Sequence, residues 1–122
     1  MLLWTLYEYQ GAFTAFRESD LEDDPELSAE VDQRLLRLRE LGNLATMPVS
    51  EPFGEGLFCC RASSAGHHAR LMYCFLPKKR IVILLCALKD QRTLAPGVIA
   101  EARKRKKLVD KDEGDIDVID DD

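Results

Sequence analysis

Residues 57–88, LFCCRASSAGHHARLMYCFLPKKRIVILLCAL, contain three apolar segments separated by two short interruptions. The segments 57–62, 69–76 and 80–88 are rich in aliphatic and aromatic residues, which favour β-strands. Residues 63–67 and 77–79 have the composition of hairpin turns. Three consecutive strands joined by short turns predict an antiparallel meander. The third segment is apolar enough to be buried on both faces of the sheet.

A strand and a short helix are predicted near the beginning of the chain. In residues 2–9, apolar side chains recur at every second position, which is the period of a β-strand. Gln10 and Gly11 interrupt this pattern. A short amphipathic helix is indicated next by the spacing of Phe13, Phe16 and Leu21.

The clearest local element is a second helix before the meander. Asp24 is a favourable N-cap, Pro25 fits the first helical position, and Gly42 provides a C-terminal stop. Its apolar residues recur at helical spacing: Leu27, Val31, Leu35 and Leu38. The two helices form a predicted hairpin, and residues 44–56 are predicted to be a loop because they contain two prolines and two glycines.

After the meander, Pro96 begins a last predicted helix, with Ile99 and Ala102 facing inward and residues 103–107 facing outward. The element order is therefore β-α-α-β-β-β-α, an α+β fold in which the helical hairpin packs on one face of the sheet. The other face is expected to be partly open, so that basic strand residues project from it. Residues 1–109 form one predicted domain, and residues 110–122 form an acidic tail expected to be disordered.

Charge is unevenly distributed along the chain. Residues 1–60 hold four basic and twelve acidic residues, a net charge of −8. Residues 61–109 hold twelve basic and two acidic residues, a net charge of +10, and residues 110–122 hold one and eight, a net charge of −7. The total of −5 hides a basic half whose natural partner is a polyanion.

Composition excludes several classes of protein. The four cysteines lie inside apolar segments and form no C-x-x-C motif, which favours small buried side chains over a metal site with His67 or His68. No apolar run reaches the roughly 18 residues needed to span a bilayer, and residues 1–6 lack the basic region of a signal peptide. We therefore expect a cytoplasmic protein that uses neither a metal nor a small-molecule cofactor.

Four motifs, in order and spacing, resemble the RelE/ParE toxin superfamily, and especially its HigB-like and phage-derived members. They are EPFGEGLF at 51–58 followed by Arg61, ARLMYCF at 69–75, IVILLCAL at 81–88, and residues 91–105, with Gln91, Pro96, Ile99, Ala102 and Arg105. The similarity covers residues 3–109. The sequence departs from the pattern in four respects: Cys86 replaces a common histidine, Cys59 and Cys60 replace Glu-Leu, 89–92 replaces a Lys-Lys pair, and the acidic tail is not part of the pattern.

The resemblance implies the toxin of a type II toxin–antitoxin system that cleaves mRNA on the ribosome. Its chemistry is the attack of a ribose 2′-hydroxyl on the adjacent phosphate without a metal. Such a site needs a proton acceptor, a cation for the developing charge and a proton donor to the leaving 5′-oxygen. The implied partners are mRNA, the ribosome and a cognate antitoxin, often a helix-turn-helix protein.

Two groups of candidate site residues follow. The catalytic candidates are Arg61, Arg70, Tyr73, Lys89 and Arg92. The RNA-binding candidates are His67, His68, Lys78, Lys79, Arg80, Arg103 and Lys104. Each has a structural alternative: a surface ion pair for the strand arginines, core packing for Tyr73, an exposed turn for the histidines and 78–80, and a solvated or antitoxin-binding helix end for 103–107.

Other functions remain open from the sequence. A non-catalytic binding protein on the same fold, such as a gyrase inhibitor or a degenerate phage-derived factor, is favoured by the replaced lysine pair and the acidic tail. An unrelated RNA-binding module is disfavoured because only Phe58, Tyr73 and Phe75 could stack on bases. The tail is either a solubilising end or an internal competitor in which Asp115, Asp117 and residues 120–122 cover the basic surface.

Overall fold

The computed structural model describes residues 2–47, 49–89 and 96–119. The strands are β1 (Thr5–Tyr9), β2 (Glu51–Gly54), β3 (Leu57–Ser64), β4 (His67–Leu76), β5 (Arg80–Lys89) and β6 (Ile116–Val118). The helices are α1 (Ala12–Glu18), α2 (Pro25–Leu41) and α3 (Pro96–Lys111), with 3-10 turns at Gly42–Leu44 and Glu113–Asp115. The strands form one mostly antiparallel sheet in the order β2-β3-β4-β5-β1-β6. This architecture confirms the predicted α+β class.

The predicted meander is present as β3, β4 and β5. Its first turn is shorter than predicted, because Ala65 and Gly66 both take positive φ values, 51° and 83°, and close a two-residue hairpin by themselves. β4 therefore begins at His67. The expectation that His67 and His68 lie in a turn is wrong, since both are paired strand residues opposite Ser64 and Ser63.

Helix α2 has the termini that its sequence predicts. The Asp24 carboxylate accepts a hydrogen bond from the Leu27 amide at 3.1 Å, with Pro25 at the first helical position. Gly42 ends the helix at φ +56°, where an added Cβ would lie 2.1 Å from the Trp4 ring, so a side chain is excluded there. Among the helices that the structure describes, none combines the length and apolarity needed to cross a membrane.

The sheet is covered on both faces. On one face, α1 and α2 bury a core that includes Phe13, Leu27, Val31, Leu38, Cys60, Leu71, Tyr73 and Ile83. On the other face, α3 packs through Ala102 and Val109 onto Leu57, Cys59, Met72, Cys74, Val82 and Leu84. We call these the hairpin face and the α3 face. Continuing along β3 and β4 from Cys59 and Met72, the next residues on the α3 face are Arg61 and Arg70.

Two strands lie in segments where the sequence predicts none. Glu51–Gly54 was expected to be loop but forms β2, at the edge of the sheet, where Pro52 is tolerated because one side of an edge strand needs no amide donor. Ile116–Val118 was expected to be disordered but forms β6 against β1. Ile116 packs on the α3 face and Ile119 on the hairpin face, so apolar burial orders this acidic segment over residues 110–119.

Candidate functional site

Three cations from separate strands meet on the α3 face. Arg61 on β3 is directly opposite Arg70 on β4, and Lys89 on β5 is directly opposite His68, two residues from Arg70. Directly opposed residues share one face of a sheet, with Cβ atoms about 5 Å apart. We call Arg61, Arg70 and Lys89 the basic cluster. The structure thus brings three of the five catalytic candidates together.

Little carboxylate charge offsets the basic cluster. Arg70 and Lys89 are only 7% and 8% exposed, yet neither forms an ion pair with any residue that the structure describes. The Arg70 guanidinium donates to the Ala69 carbonyl at 3.2 Å. Arg61 has one acidic neighbour, Glu51 on β2, with 3.6 Å between Nη1 and Oε1. A bound anion would supply the charge that the protein leaves out.

The pKa values of Arg70 and Lys89 are both lowered by burial and by neighbouring positive charge. Burial lowers the pKa of the Arg70 guanidinium, and the positive charge of Arg61 lowers it further. Burial also lowers the pKa of the Lys89 ammonium, with further contributions from Arg70 and Arg61. Holding three like charges together destabilises the fold, and perturbed pKa values of this kind are typical of functional sites.

Glu51 is the site residue that the sequence analysis missed. It is paired with Cys59 in the β2–β3 ladder, and its side chain lies on the α3 face beside Arg61. Its negative charge partly opposes the lowering of the pKa of Arg70 and of Lys89, as a smaller contribution than burial. The signal was present in the EPFGEGLF motif, but residues 44–56 were assigned to a loop, so no strand placed Glu51 next to the cations.

The two histidines point to opposite faces of the sheet. His68 lies on the α3 face between Ser63 and Lys89, and its Nδ1 is 2.7 Å from the Ser63 hydroxyl. His67 lies on the hairpin face, where its Nδ1 is 2.6 Å from the Asp24 carboxylate. This contact lowers the pKa of Asp24. Only His68 therefore adjoins the basic cluster, whereas His67 ties β4 to the beginning of α2.

Tyr73 is separated from the basic cluster by the thickness of the sheet. It is 0% exposed, lies on the hairpin face, stacks on Phe58 and shares a short hydrogen bond with Ser50. Burial raises the pKa of its hydroxyl, so it stays protonated at neutral pH. In this structure Tyr73 can neither stack on a base nor reach a substrate on the α3 face. Its position agrees with the alternative role in core packing.

Arg80 is anchored to other parts of the protein, far from the basic cluster at the opposite end of β5. Arg80 donates to the Pro77 carbonyl at 2.8 Å, pairs with Glu113 at 2.6 Å and lies over the Tyr7 ring. Its neighbours Lys78 and Lys79 are exposed in the β4–β5 turn with positive φ. The remaining catalytic candidate, Arg92, lies outside the described residues.

The basic segment of α3 is also mostly anchored. Arg103 donates to the carbonyls of Phe53 and Gly54, which fixes the β2–β3 turn. Arg105 donates to the Leu84 carbonyl at 2.7 Å and pairs with Glu101. The prediction that all of 103–107 face outward is therefore wrong at Arg105. Lys104 is exposed, so it remains available as a surface cation.

The four cysteines pack in the core, three of them buried and Cys86 half-buried. Cys59, Cys60 and Cys74 are buried, and burial raises the pKa of Cys59 to about 11 and of the other two to about 12. Cys86 packs on the hairpin face, and burial raises its pKa as well. Across residues 2–47, 49–89 and 96–119, no three Cys, His, Asp or Glu side chains are grouped closely enough to hold a metal ion.

The basic cluster lies within a segment that is shared with other proteins. Searches of curated proteins and of solved structures gave no match to this chain. The profile of the family described as phage derived protein Gp49-like (DUF891) matches residues 20–107, from just before α2 to within α3. That match includes the basic cluster, Glu51 and His68, and it covers more than two thirds of the chain. The chain therefore belongs to the phage-derived Gp49-like protein family.

Proposed function

We propose that this chain is a toxin that cleaves mRNA by attack of a ribose 2′-hydroxyl on the adjacent phosphate. The observation that carries the proposal is the basic cluster on one face, largely buried and offset by a single carboxylate, Glu51. A sugar–phosphate chain carries one negative charge per phosphate, and three converging cations match it. Membership of the Gp49-like family and the resemblance to RelE- and HigB-like toxins support the same assignment.

Each group of the site has a role that its geometry supports. Arg61 and Arg70 bind the non-bridging oxygens of the scissile phosphate, because guanidinium forks match two phosphate oxygens. Lys89 adds a point charge that stabilises the dianionic transition state. All three roles are electrostatic. The attraction between these cations and a phosphate is strong here because two of the three cations are buried.

Glu51 accepts the proton of the attacking 2′-hydroxyl. The 2′-oxygen then bonds to phosphorus, the bond from phosphorus to the 5′-oxygen breaks, and a 2′,3′-cyclic phosphate and a 5′-hydroxyl end result. The leaving 5′-oxygen must also take up a proton, so the step needs a proton donor besides Glu51. Because the nucleophile belongs to the ribose, DNA is not a substrate.

We extend the proposal to the substrate, the location and the partners of the protein. The substrate is mRNA on the ribosome, which would place the protein in the cytoplasm. Its toxicity would require a cognate antitoxin, and a small helix-turn-helix protein is the kind of partner that the resemblance implies. Lys78, Lys79 and Lys104 are exposed cations that could bind ribosomal RNA outside the site.

Expression in bacteria with primer extension on a reporter mRNA tests the activity. We expect codon-phased cuts with the wild type and none with Arg70→Ala or Arg70→Lys, since the lysine retains charge but loses the bidentate fork. Arg37→Ala is the matched control, because Arg37 is exposed on α2 and pairs only with Glu40 among the described residues. Intact mRNA in cells that express folded wild type would refute the nuclease.

A non-catalytic binding protein on the same fold is the second candidate. The observation that favours it is the packing of buried Tyr73 and half-buried Cys86 on the hairpin face, which leaves neither side chain near the basic cluster. Growth arrest with intact mRNA and altered plasmid supercoiling would indicate gyrase as the target. The absence of any growth effect would indicate a degenerate factor.

A further inference from the structure

We propose that His68, oriented by Ser63, is the general acid that protonates the leaving 5′-oxygen. This inference rests on the proposed nuclease function and assigns the proton donor, a role that was given above neither to the basic cluster nor to Glu51. Neither arginine can donate a proton readily at neutral pH, because a guanidinium retains its proton. An imidazole is the side chain best suited to this transfer near neutral pH.

The position of His68 fits the role. It lies on β4 two residues from Arg70, a distance of about 7 Å along a strand, on the same face of the sheet. Its cross-strand neighbours are Ser63 on β3 and Lys89 on β5. A phosphate held by Arg70 and Lys89 would therefore lie within reach of the imidazole.

The contact with Ser63 fixes the ring. The Ser63 hydroxyl lies 2.7 Å from Nδ1, so it can accept a hydrogen bond from a protonated Nδ1. In that arrangement Nε2 is directed away from Ser63 and forms no hydrogen bond with the residues that the structure describes. Nε2 is then the nitrogen that can present a proton to substrate, which makes Ser63 a positioning residue.

Charged side chains surround His68 on the α3 face. The groups that face it are Ser63 and Arg61 on β3, Arg70 on its own strand, Lys89 on β5, and Glu51 beyond Arg61. Three of these are cations, which attract a phosphodiester to the position beside His68. The imidazole is thus adjacent to the place where these cations would hold a phosphate.

Bonds and protons balance over the complete cleavage step. Glu51 takes the proton of the 2′-hydroxyl, the 2′-oxygen bonds to phosphorus, and the bond from phosphorus to the 5′-oxygen breaks. The Nε2 proton of His68 passes to that 5′-oxygen. One proton is gained by the protein and one is lost, and exchange with water restores both groups.

A sulfur-substituted substrate tests the assignment. Programmed ribosomes carry either a natural mRNA or one whose scissile linkage has a bridging 5′-sulfur, which leaves as a thiolate without needing a proton. We expect His68→Gln to cleave the natural linkage about 100-fold more slowly and the sulfur linkage at nearly the wild-type rate. Glu51→Gln should lose activity on both, because the 2′-hydroxyl must still be deprotonated.

Further variants separate catalysis from structure. Ser63→Ala should cause a smaller loss, again restored by sulfur, and should change the pH profile of the natural reaction. Ser64→Ala is its matched control, because Ser64 is the next residue and faces the other side of the sheet, opposite His67. Urea unfolding of His68→Gln establishes that the variant is folded.

The outcomes distinguish this inference from the proposed function. Wild type that cleaves neither substrate refutes both. Wild type that cleaves both, with His68→Gln equally slow on both or unimpaired on the natural linkage, overturns the acid role and leaves the nuclease intact.

Discussion

Two sets of cations from the same basic half of the chain have opposite surroundings. The basic cluster forms a single ion pair within the described residues, between Arg61 and Glu51. By contrast, Arg80, Arg103 and Arg105 each donate to backbone carbonyls and lie beside a carboxylate. We call the latter the anchored arginines. The comparison shows that a run of positive charge in a sequence can serve two unrelated purposes.

The difference follows from position in the sheet. Each anchored arginine has its own acceptors: Arg103 reaches the β2–β3 turn, Arg105 reaches β5, and Arg80 reaches the segment at Glu113. The basic cluster lies at the other end of the α3 face, beyond the apolar residues that contact α3. The anchored set contributes hydrogen bonds and ion pairs to the fold, whereas the proposed function would account for the cost of the basic cluster.

The largest expected effect is that of Glu51→Gln on cleavage. Removing the proton acceptor should slow single-turnover cleavage by about 100-fold or more. RNA binding should not weaken, since the variant removes a negative charge from beside Arg61. The measurements are the cleavage rate on programmed ribosomes and the affinity for an RNA that carries a 2′-deoxy group at the cleaved position.

Glu55→Gln is the matched control for this prediction. Glu55 lies in the same β2–β3 region but is strongly exposed, and its neighbour is the anchored Arg103, at 3.9 Å. We expect wild-type cleavage from it. Equal losses in the two variants would mean that Glu51 acts through general electrostatics rather than by proton transfer.

Arg105→Ala should show the opposite phenotype, a loss of stability without a loss of cleavage chemistry. It removes a charged donor from the Leu84 carbonyl, the pair with Glu101 and a contact with the Tyr9 ring. We expect a free energy of unfolding lower by about 2 kcal/mol in urea titrations. Lys104→Ala, on the exposed side of the same helix, should change it by less than about 0.5 kcal/mol.

This division of the cations could be predicted only in part. Alternation along β3 and β4 was sufficient to place Arg61 and Arg70 on the face away from the helical hairpin, because a period of two depends only on local pattern. The anchoring of Arg80 by Glu113 was not predictable, since the acidic tail was expected to be disordered. Glu51 was missed because an edge strand containing proline and glycine has the composition of a loop.

The faces on which the histidines and Tyr73 lie depend on where β4 begins and on its alternation. A two-residue change in where β4 begins, from 69 to 67, decides whether His67 and His68 are turn residues or strand residues on opposite faces, and the Ala65–Gly66 geometry fixes it. Tyr73 follows the alternation of β4 onto the hairpin face, but the resemblance placed it among catalytic groups. Local periodicity was the better guide for this residue.

Lys89→Met should stabilise the protein while it weakens RNA binding. The pKa of Lys89 is lowered from 10.5, so the unfolded chain holds this proton more tightly than the folded one. The stability of the wild type should therefore rise with pH through the window below 10.5, and the variant should lack this rise. At neutral pH we expect a gain of about 0.5–1 kcal/mol in the free energy of unfolding.

Lys111→Met is the control, because Lys111 is an exposed lysine at the end of α3. It should alter neither stability nor RNA affinity appreciably. A Lys89→Met protein that is less stable than wild type would show that Lys89 is anchored like Arg80, and the division between the two sets of cations would fail at that residue.

The smallest expected effect concerns the contact on the other side of β4. The hydrogen bond from His67 lowers the pKa of Asp24, and the Leu27 amide contributes as well. An acid whose pKa is lowered by folding stabilises the fold above its unfolded value, here 3.8, and that contribution is lost as pH falls through the lower folded value. Asp24→Asn should keep a capping oxygen, lose this pH dependence in acid unfolding, and leave mRNA cleavage unchanged. A cleavage defect in Asp24→Asn would mean that the hairpin face takes part in catalysis, because Asp24 and His67 are on the opposite side of the sheet from the basic cluster.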